Sequence, residues 1–329
     1  MTWLVQARLV NGPFDDPGLV LDVRFARRAL LFDLGDNHAL SARELMRVSH
    51  AFVSHAHMDH LAGFDRLLRL CLHRPGPLSL VGPPGFADRI EHRLTSYSWN
   101  LLDETSADCV IEATEFDGTR IARAARFRAR GAFTREEVAP PDLAPGLVHD
   151  EAAFEVRAEA LDHGIPSLAF RLQERIRVNV LRDGLLALGL PAGPWLNDAK
   201  RAVREGAPDD TPIEVEDGAM PLGRIRERAL RVGPGQSVAY VVDAAPTPAN
   251  EAAILRLASG ADQLFIEAAF LDEDRAVAAQ RRHLTAAQAG RLARRAGVRR
   301  LVVLHHSPRY LDRPDALRLE AEAAFRGEP

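Results

Sequence analysis

Between Leu19 and Phe25 the apolar side chains fall at every second position, 19, 21, 23 and 25, with Asp22 and Arg24 between them. A period of two sends alternate side chains to opposite faces, so the run predicts a half-buried strand. "ALLFDLGD" (Ala29–Asp36) is more continuously apolar and reads as a more buried second strand, and "HAFV" (His50–Val53) reads as a third. The period then changes: Leu61, Phe64, Leu67, Leu68 and Cys71 recur at helical spacing. "LSLVGPPG" predicts a strand entering a turn, with the helix "FADRIEHRL" after it. Toward the other end, "SVAYVVD" (Ser237–Asp243) is a strand ending in an acid, and "DQLFIEAAF" (Asp262–Phe270) is an apolar run containing one. "TAAQAGRLARRAGV" predicts a helix with Thr285 as its N-cap and Gly297 closing it, and "RRLVVLHH" predicts a strand that delivers His305. Strands alternating with helices argue for an α/β layered fold. Apolar strands that end in His, Asp or Glu bring polar ligands together along one sheet edge.

From Arg177 to Pro234 the pattern breaks, with frequent Gly and Pro in "LGLPAGPWLNDAK" and "REGAPDDTP". A chain of 329 residues allows one large α/β unit or two domains. The expectation is one domain over residues 1–329, with an irregular excursion at about 175–234. Apolar residues at 47% support a sizeable core, and a net charge of −4 gives no global basic footprint for nucleic acid. Lys200 is the only lysine, a bias toward arginine that a GC-rich genome also produces. Two cysteines, Cys71 and Cys109, are too few for a disulfide framework and fit a reducing compartment. "MTWLVQARLV" lacks the charged and long apolar regions of a leader, and no 18-residue apolar run occurs. A soluble cytoplasmic protein without a membrane partner is expected.

The densest chemistry is "FVSHAHMDHLAGF" (Phe52–Phe64), with His55, His57, Asp59 and His60 in the spacing H-x-H-x-D-H. If the first two alternate as on a strand, their imidazoles face the same way. Asp59 and His60 follow where the helix begins. Two ligand groups about one turn apart do not share one small ion comfortably, but they can flank a pair. Imidazole and carboxylate without thiolate suit zinc or a similar borderline ion, with manganese or iron also compatible. A His-rich surface turn is the bland alternative; four such side chains after a buried strand speak against it.

"SHAHMDHLAGF" resembles the signature of the metallo-β-lactamase superfamily, whose fold is an αββα four-layer sandwich with metals at one sheet edge. Over nearly the whole chain the sequence is similar to the ribonuclease Z family, endonucleases that trim tRNA 3′ trailers. "DLGD" places Asp33 at that family's Asp-x-Gly motif, "LDHGIPSLAFRLQE" places His163 at its next metal histidine, and "VAYVVDAAP" places Asp243 at its bridging aspartate. "FIEAAF" matches its Glu-bearing segment through Glu267 and Ala268, "HLTA" its His-Ser-Thr segment through His283, and "LVVLHHSPRY" its terminal block through His305. Alone, a histidine such as His163 is more often structural; six blocks in order change that balance.

The resemblance implies two divalent ions, zinc above all, with His55, His57 and His163 on one, Asp59, His60 and His305 on the other, and Asp243 between them. It implies catalytic roles for Asp59, as proton acceptor, and for Glu267 with His283, as proton donor to a departing 3′-oxygen. Asp33 would orient a ligand histidine. His306 should point to the opposite face of its strand. Gly193-Pro194 and Arg309 would touch substrate, the first through an arm that grips tRNA. Precursor tRNA is the implied substrate, with a small or cyclic phosphodiester as the alternative, and a homodimer is the implied assembly. The chain departs from the family pattern at Ile266 and Ala269, at Val242-Asp243-Ala244, and in "GDNHAL" after Leu34. These changes bear on substrate, not on fold. The excursion also balances its arginines with acids, giving it little surplus charge for a phosphate backbone.

Overall fold

The computed structural model describes residues 3–328 except 25, 75 and 217, so Phe25, the last position of the first alternating run, lies outside the described residues. An eight-stranded sheet comes first, in the order β1 (Val5–Leu9), β2 (Leu19–Val23), β3 (Arg28–Phe32), β4 (Val48–Phe52), β5 (Gly76–Gly82), β6 (Cys109–Phe116), β7 (Ile121–Arg128), β8 (Arg135–Val138). β3 to β6 run parallel, while the outer strands pair antiparallel. A parallel neighbour needs a crossover. The segments Ala42–Leu45, Phe64–Cys71 and Phe86–Thr95 supply helices for these crossovers, so the carboxyl ends of β3, β4 and β5 share one edge.

The chain continues through β9 (Leu147–Asp150), β10 (Phe154–Asp162) and β11 (Pro166–Glu174). It then makes β12 (Ile176–Val180), β13 (Pro212–Val215), β14 (Gly218–Pro221) and β15 (Leu230–Pro234) before β16 (Ser237–Val241), β17 (Gln263–Glu267) and β18 (Leu301–Leu304). The second sheet has the order β18-β17-β16-β11-β10-β9. β16, β17 and β18 are parallel, with the helices Pro248–Ala258 and Ala286–Arg295 in their crossovers.

Alternation along the strands decides the layers. On β3 and β4, Leu31 and Ala51 join an apolar cluster with the helical residues Phe64, Leu67, Leu68 and Ile90. Phe32 and Phe52 point the other way and meet Phe170, at centroid distances of 5.4 and 5.7 Å, and Phe32 also meets Tyr240 at 5.8 Å. Each fully buried ring of this kind contributes roughly 1.5–3 kcal/mol. The far face of the second sheet (Ala239, Val241, Leu264, Ile266, Val303) packs with Ile254, Leu257, Leu292 and Leu317. The result is helix on sheet on sheet on helix, the αββα sandwich expected from the sequence.

Local features follow their residue chemistry. The helix Ala286–Arg295 opens with a Thr285/Gln288 capping box, and Gly297 at φ +66° follows it. The single helix expected from Leu61 to Cys71 is instead two, Met58–Leu61 and Phe64–Cys71. Gly63 marks the break: its N–H bonds to Leu34 O at 2.8 Å, and a Cβ there would stand 2.2 Å from Gly35 O. Close approach of two loops, not helix propensity, sets that boundary.

Residues 172–237, with 150–155 and the N-terminal residues 3 and 4, form a compact unit of their own; the remainder forms the other. In the smaller unit β12 pairs with β15 and β13 with β14. Val178, Leu185, Trp195, Ile213, Leu222 and Ile225 make its core. Its buried Glu174 accepts the Gln236 N–H at 2.8 Å and lies 3.6 Å from the Arg177 guanidinium. Its strands and helices are too short to print a long period on the sequence, which is why this stretch looks irregular there.

Candidate metal centre

Most ligand-type residues singled out in the larger unit arrive at a strand end or in the loop beyond it; Asp59 and His60 lie in the short helix Met58–Leu61, and His283 follows the helix Arg275–Arg281. Asp33, Asp243 and His305 stand just past β3, β16 and β18, and all three adopt left-handed backbone, φ 61°, 52° and 58°. For residues other than glycine that conformation costs about 1–2 kcal/mol each. Strain of this kind persists only where surrounding contacts over-determine it, and it gathers at functional sites. Glu267 is the last residue of β17, and His163 follows β10 in the turn to β11.

The cluster after β4 differs from its expected form. The strand stops at Phe52, and His55 and His57 lie in the loop beyond it, His57 capping the helix Met58–Leu61. Their rings converge, 4.3 Å apart between centroids, because the loop folds back, not because a strand alternates. Asp33 anchors that loop. It accepts the Ser54 N–H at 2.7 Å, the Ser54 hydroxyl at 3.0 Å and the Tyr240 hydroxyl at 2.9 Å. His60 Nδ1 lies 2.9 Å from the same carboxylate, which can only accept, so Nδ1 donates and Nε2 is the nitrogen that a neutral ring leaves free for a cation.

The ring nitrogens converge on Asp243. His55 Nε2, His60 Nε2 and His163 Nε2 lie 3.3, 3.4 and 3.4 Å from its Oδ2. His305 Nδ1 lies 2.9 Å from Oδ1, and His305 Nε2 is 3.2 Å from Asp59 Oδ2. His163 Nδ1 is held by the Arg282 carbonyl at 2.9 Å. Ligand atoms of His55, His57, His163 and Asp243 lie within 4.8 Å of one another, as do those of Asp59, His60 and His305. A third such group, Asp243, Glu267, His283 and His305, shares members with the other two.

This set fits divalent metal ions. His55 Nε2 and His60 Nε2 are buried without a hydrogen-bond partner among the described residues, and His305 Nδ1 and Asp243 Oδ1 have only each other. An unsatisfied buried polar atom costs about 1–3 kcal/mol, and a cation is the partner that neutral imidazole and carboxylate share. Burial, then neighbouring His60, pushes the His55 imidazole down to about 2, so it stays neutral, as a ligand must. Burial also lowers His57. His305 resists the same burial because Asp243 holds it protonated well above the usual range, and Asp33 and Asp243 do so for His60. In both, a bound cation would replace the proton.

Glu267 and His283 form a second arrangement beside the first. The buried Glu267 carboxylate accepts the Ala244 N–H at 2.7 Å and stands 2.7 Å from His283 Nδ1. Burial would raise the Glu267 carboxyl, but the imidazole beside it holds it below the ordinary value. His283 is raised for the complementary reason, Glu267 outweighing desolvation. A cavity of about 550 Å³ opens over His57, Asp59, His163, Asp243, His283 and His305. Arg309 lines the same cavity, its Nε 3.3 Å from Asp274. His306 donates from Nδ1 to Ala268 O at 2.9 Å and sets its ring edge-on to Phe14, although it too borders the cavity. Gly193 and Pro194 open the helix Trp195–Arg204 in the smaller unit.

Sequence reasoning missed three participants. Ser54 sits inside the quoted cluster and could have been found as a hydroxyl between two ligand histidines. Tyr240 carried no signal, being one more apolar position in its strand. Asn250, which accepts the Asp162 N–H at 2.9 Å and donates to Ala245 O at 2.9 Å, sits in an ordinary helical pattern.

Comparison with known proteins places these features in context. A family model described as a β-lactamase superfamily domain matches residues 213–306. Ribonuclease Z of Deinococcus radiodurans is 33% identical over 314 residues, covering 93% of this chain and 91% of that one. Ribonuclease Z of Nocardia farcinica is 32% identical, covering 93% of this chain and 86% of that one. Among solved structures, a metallo-β-lactamase fold protein of Bacillus subtilis aligns with a TM-score of 0.53 at 16% identity, over 98% of this chain and 93% of that one. The short form of human tRNase Z aligns with a TM-score of 0.51 at 17% identity, over 93% and 92%. At such identities the structures speak for the fold alone.

Proposed function

The chain belongs to the ribonuclease Z family, and on that premise we propose that it is a dimetal phosphodiester hydrolase that removes 3′ trailers from precursor tRNA. The observation that carries the reading beyond fold is the buried Glu267 bonded to His283 beside two ligand groups. A simple lactone-cleaving or thioester-cleaving centre has no need for a second acid-base pair. An endonuclease must protonate a departing 3′-oxygen, and an imidazole kept protonated near neutral pH by a buried carboxylate can do so.

In this reading His55, His57, His163 and Asp243 would hold one cation, and Asp59, His60 and His305, with Asp243, would hold the other. Zinc is the expected ion, with manganese or iron compatible with the same donors. When bound, such a pair lowers the pKa of a shared water and stabilises attacking and leaving oxygens. Asp59, kept ionised by His305 and His60 in spite of burial, would be free to take a proton from the attacking water once the cations have made that water acidic. Asp33 fixes His60 directly and His55 through Ser54. His283 gives its proton to the leaving oxygen and regains one from water in the cavity it lines, while the ionised Glu267 carboxylate favours the protonated imidazole. Arg309 contacts a phosphate at the cavity mouth, and the Gly193-Pro194 segment belongs to an arm that grips the tRNA. A cytoplasmic homodimer completes the proposal.

A second reading is a small or cyclic diester as substrate. It draws on Ala269, which departs from the family pattern and lines the cavity beside Phe270. Incubating purified protein with precursor tRNA and with bis(p-nitrophenyl) phosphate across a salt series separates the two. Specific, salt-sensitive trailer removal supports the first, and cleavage of the small diester alone overturns it.

A further inference from the structure

Arg282 stands between the helix Arg275–Arg281 and His283 with φ +61°. This left-handed conformation is uncommon for residues other than glycine, asparagine and aspartate. Its carbonyl faces the turn between β10 and β11 and accepts from His163 Nδ1 at 2.9 Å. A carbonyl can only accept, so Nδ1 carries a proton and Nε2 is the nitrogen left to face a cation, 3.4 Å from Asp243 Oδ2. The opposite tautomer would aim an N–H at the cluster and remove a ligand. Gly164 belongs to the same clasp, since a Cβ there would stand 2.9 Å from Arg282 Nε.

The side chain and the backbone of Arg282 can be weighed separately. Its guanidinium lies 3.4 and 3.5 Å from the Asp162 carboxylate oxygens. Both partners are half exposed, and a solvated pair of that kind contributes little. The backbone is the working part. It also sets the start of His283, whose N–H bonds to Ala278 O at 2.9 Å and whose ring centroid lies 4.9 Å from that of His163.

We propose that Arg282 is a positioning residue whose left-handed backbone fixes both the His163 tautomer and the placement of His283, coupling one metal-binding group to the Glu267–His283 pair. The part concerning His283 rests on the functional reading above; the part concerning His163 needs only that its Nε2 faces a cation.

Two measurements on the full chain test this. In zinc-loaded wild-type protein, two-bond proton–nitrogen correlation of the histidine rings should report His163 protonated on Nδ1, and an Nε2-protonated ring overturns the proposal without any variant. Zinc titration and the visible spectrum of the cobalt-substituted protein then compare R282G, which keeps the backbone, with R282V, whose branched Cβ resists it. R282G should bind zinc within about threefold of wild type with an unchanged cobalt spectrum. R282V should bind one ion about 10–100-fold more weakly, the scale of losing a ligand's orienting partner, with a shifted spectrum. In diester cleavage its kcat should fall more than its KM rises. Wild-type zinc affinity in a folded R282V, or equal loss in R282G, overturns the proposal. If no phosphodiester is cleaved even by wild-type protein, the functional reading fails while the zinc and tautomer results still decide the His163 claim.

Discussion

The two sheets feed one edge by different means. The first delivers its polar residues as a block: β4 runs out into His55, His57, Asp59 and His60, and β3 supplies one acid, Asp33, that braces the loop through Ser54 and His60. The second delivers one residue per strand or turn, with His163, Asp243, Glu267 and His305 spread over 143 positions of chain. Here no single anchor serves the group. Asp243 and His305 are each held by their own left-handed peptide, and Glu267 by the Ala244 N–H. A block can be recognised by its spacing, whereas a set of strand ends becomes a site only once the strands are laid side by side in parallel register. The difference also divides the chemistry: both sets offer ligand-type residues, but the Glu267–His283 pair stands on the second sheet's side alone.

The largest expected effect tests that division. His283→Ala should lower turnover by about 10²–10⁴-fold, the range for removing a general acid, with metal content unchanged. Precursor cleavage together with elemental analysis reads both quantities. A variant that loses its metal would make His283 a ligand and erase the distinction between the two sheets' contributions.

On the first sheet's side the test is Asp33→Asn. The amide keeps one acceptor but offers the His60 Nδ1–H, the Ser54 groups and the Tyr240 hydroxyl no charge. Metal affinity should fall about 10–100-fold by competition with a chelator, while the fold survives. Unchanged affinity would mean that the block orients itself and needs no brace.

How much of this could be read beforehand follows from the same contrast. His55 to His60 announce themselves because four ligand-type side chains crowd one turn. His163, Asp243 and His305 look like ordinary polar residues, and only their order relative to known family blocks gathered them. The α/β layering was legible because apolar strand patterns alternate with helical ones; the four-layer order came only from the resemblance, since β3 is apolar on both faces and shows no alternation. The break before Phe64 was not, because it depends on Gly35 and Gly63 meeting across two loops, and nothing local marks that. Tyr240 stayed hidden because a buried hydroxyl that bonds an acid 207 positions away looks, in a strand, like any aromatic.

That loop contact gives the third prediction. Gly63 has ordinary backbone angles, so only space forbids a side chain, and the atom a Cβ would meet is the Gly35 carbonyl oxygen at 2.2 Å. Backbone cannot swing aside as a flexible side chain does. Gly63→Ala should destabilise by about 1–3 kcal/mol in urea unfolding, and weaken metal binding through the displaced Asp59 and His60. A loss of stability with metal affinity intact would show that the block is stiffer than the loop that carries it.

The smallest effect comes from the residue next to a ligand. His305 and His306 are adjacent, but their rings meet different partners: the first reaches Asp59 and Asp243, the second donates to Ala268 O and packs on Phe14. Burial pushes the His306 imidazole down to about 4, so it is neutral at physiological pH and serves as one hydrogen-bond donor. His306→Gln can offer an amide N–H to the same carbonyl but gives up the ring contact. The expected cost is therefore about 0.5–1.5 kcal/mol of stability, that of one imperfect hydrogen bond, with metal content unchanged. Thermal unfolding and elemental analysis measure the two. Metal loss in this variant would mean that the strand end cannot keep neighbouring side chains apart, so that the second sheet, like the first, works as a block and not residue by residue.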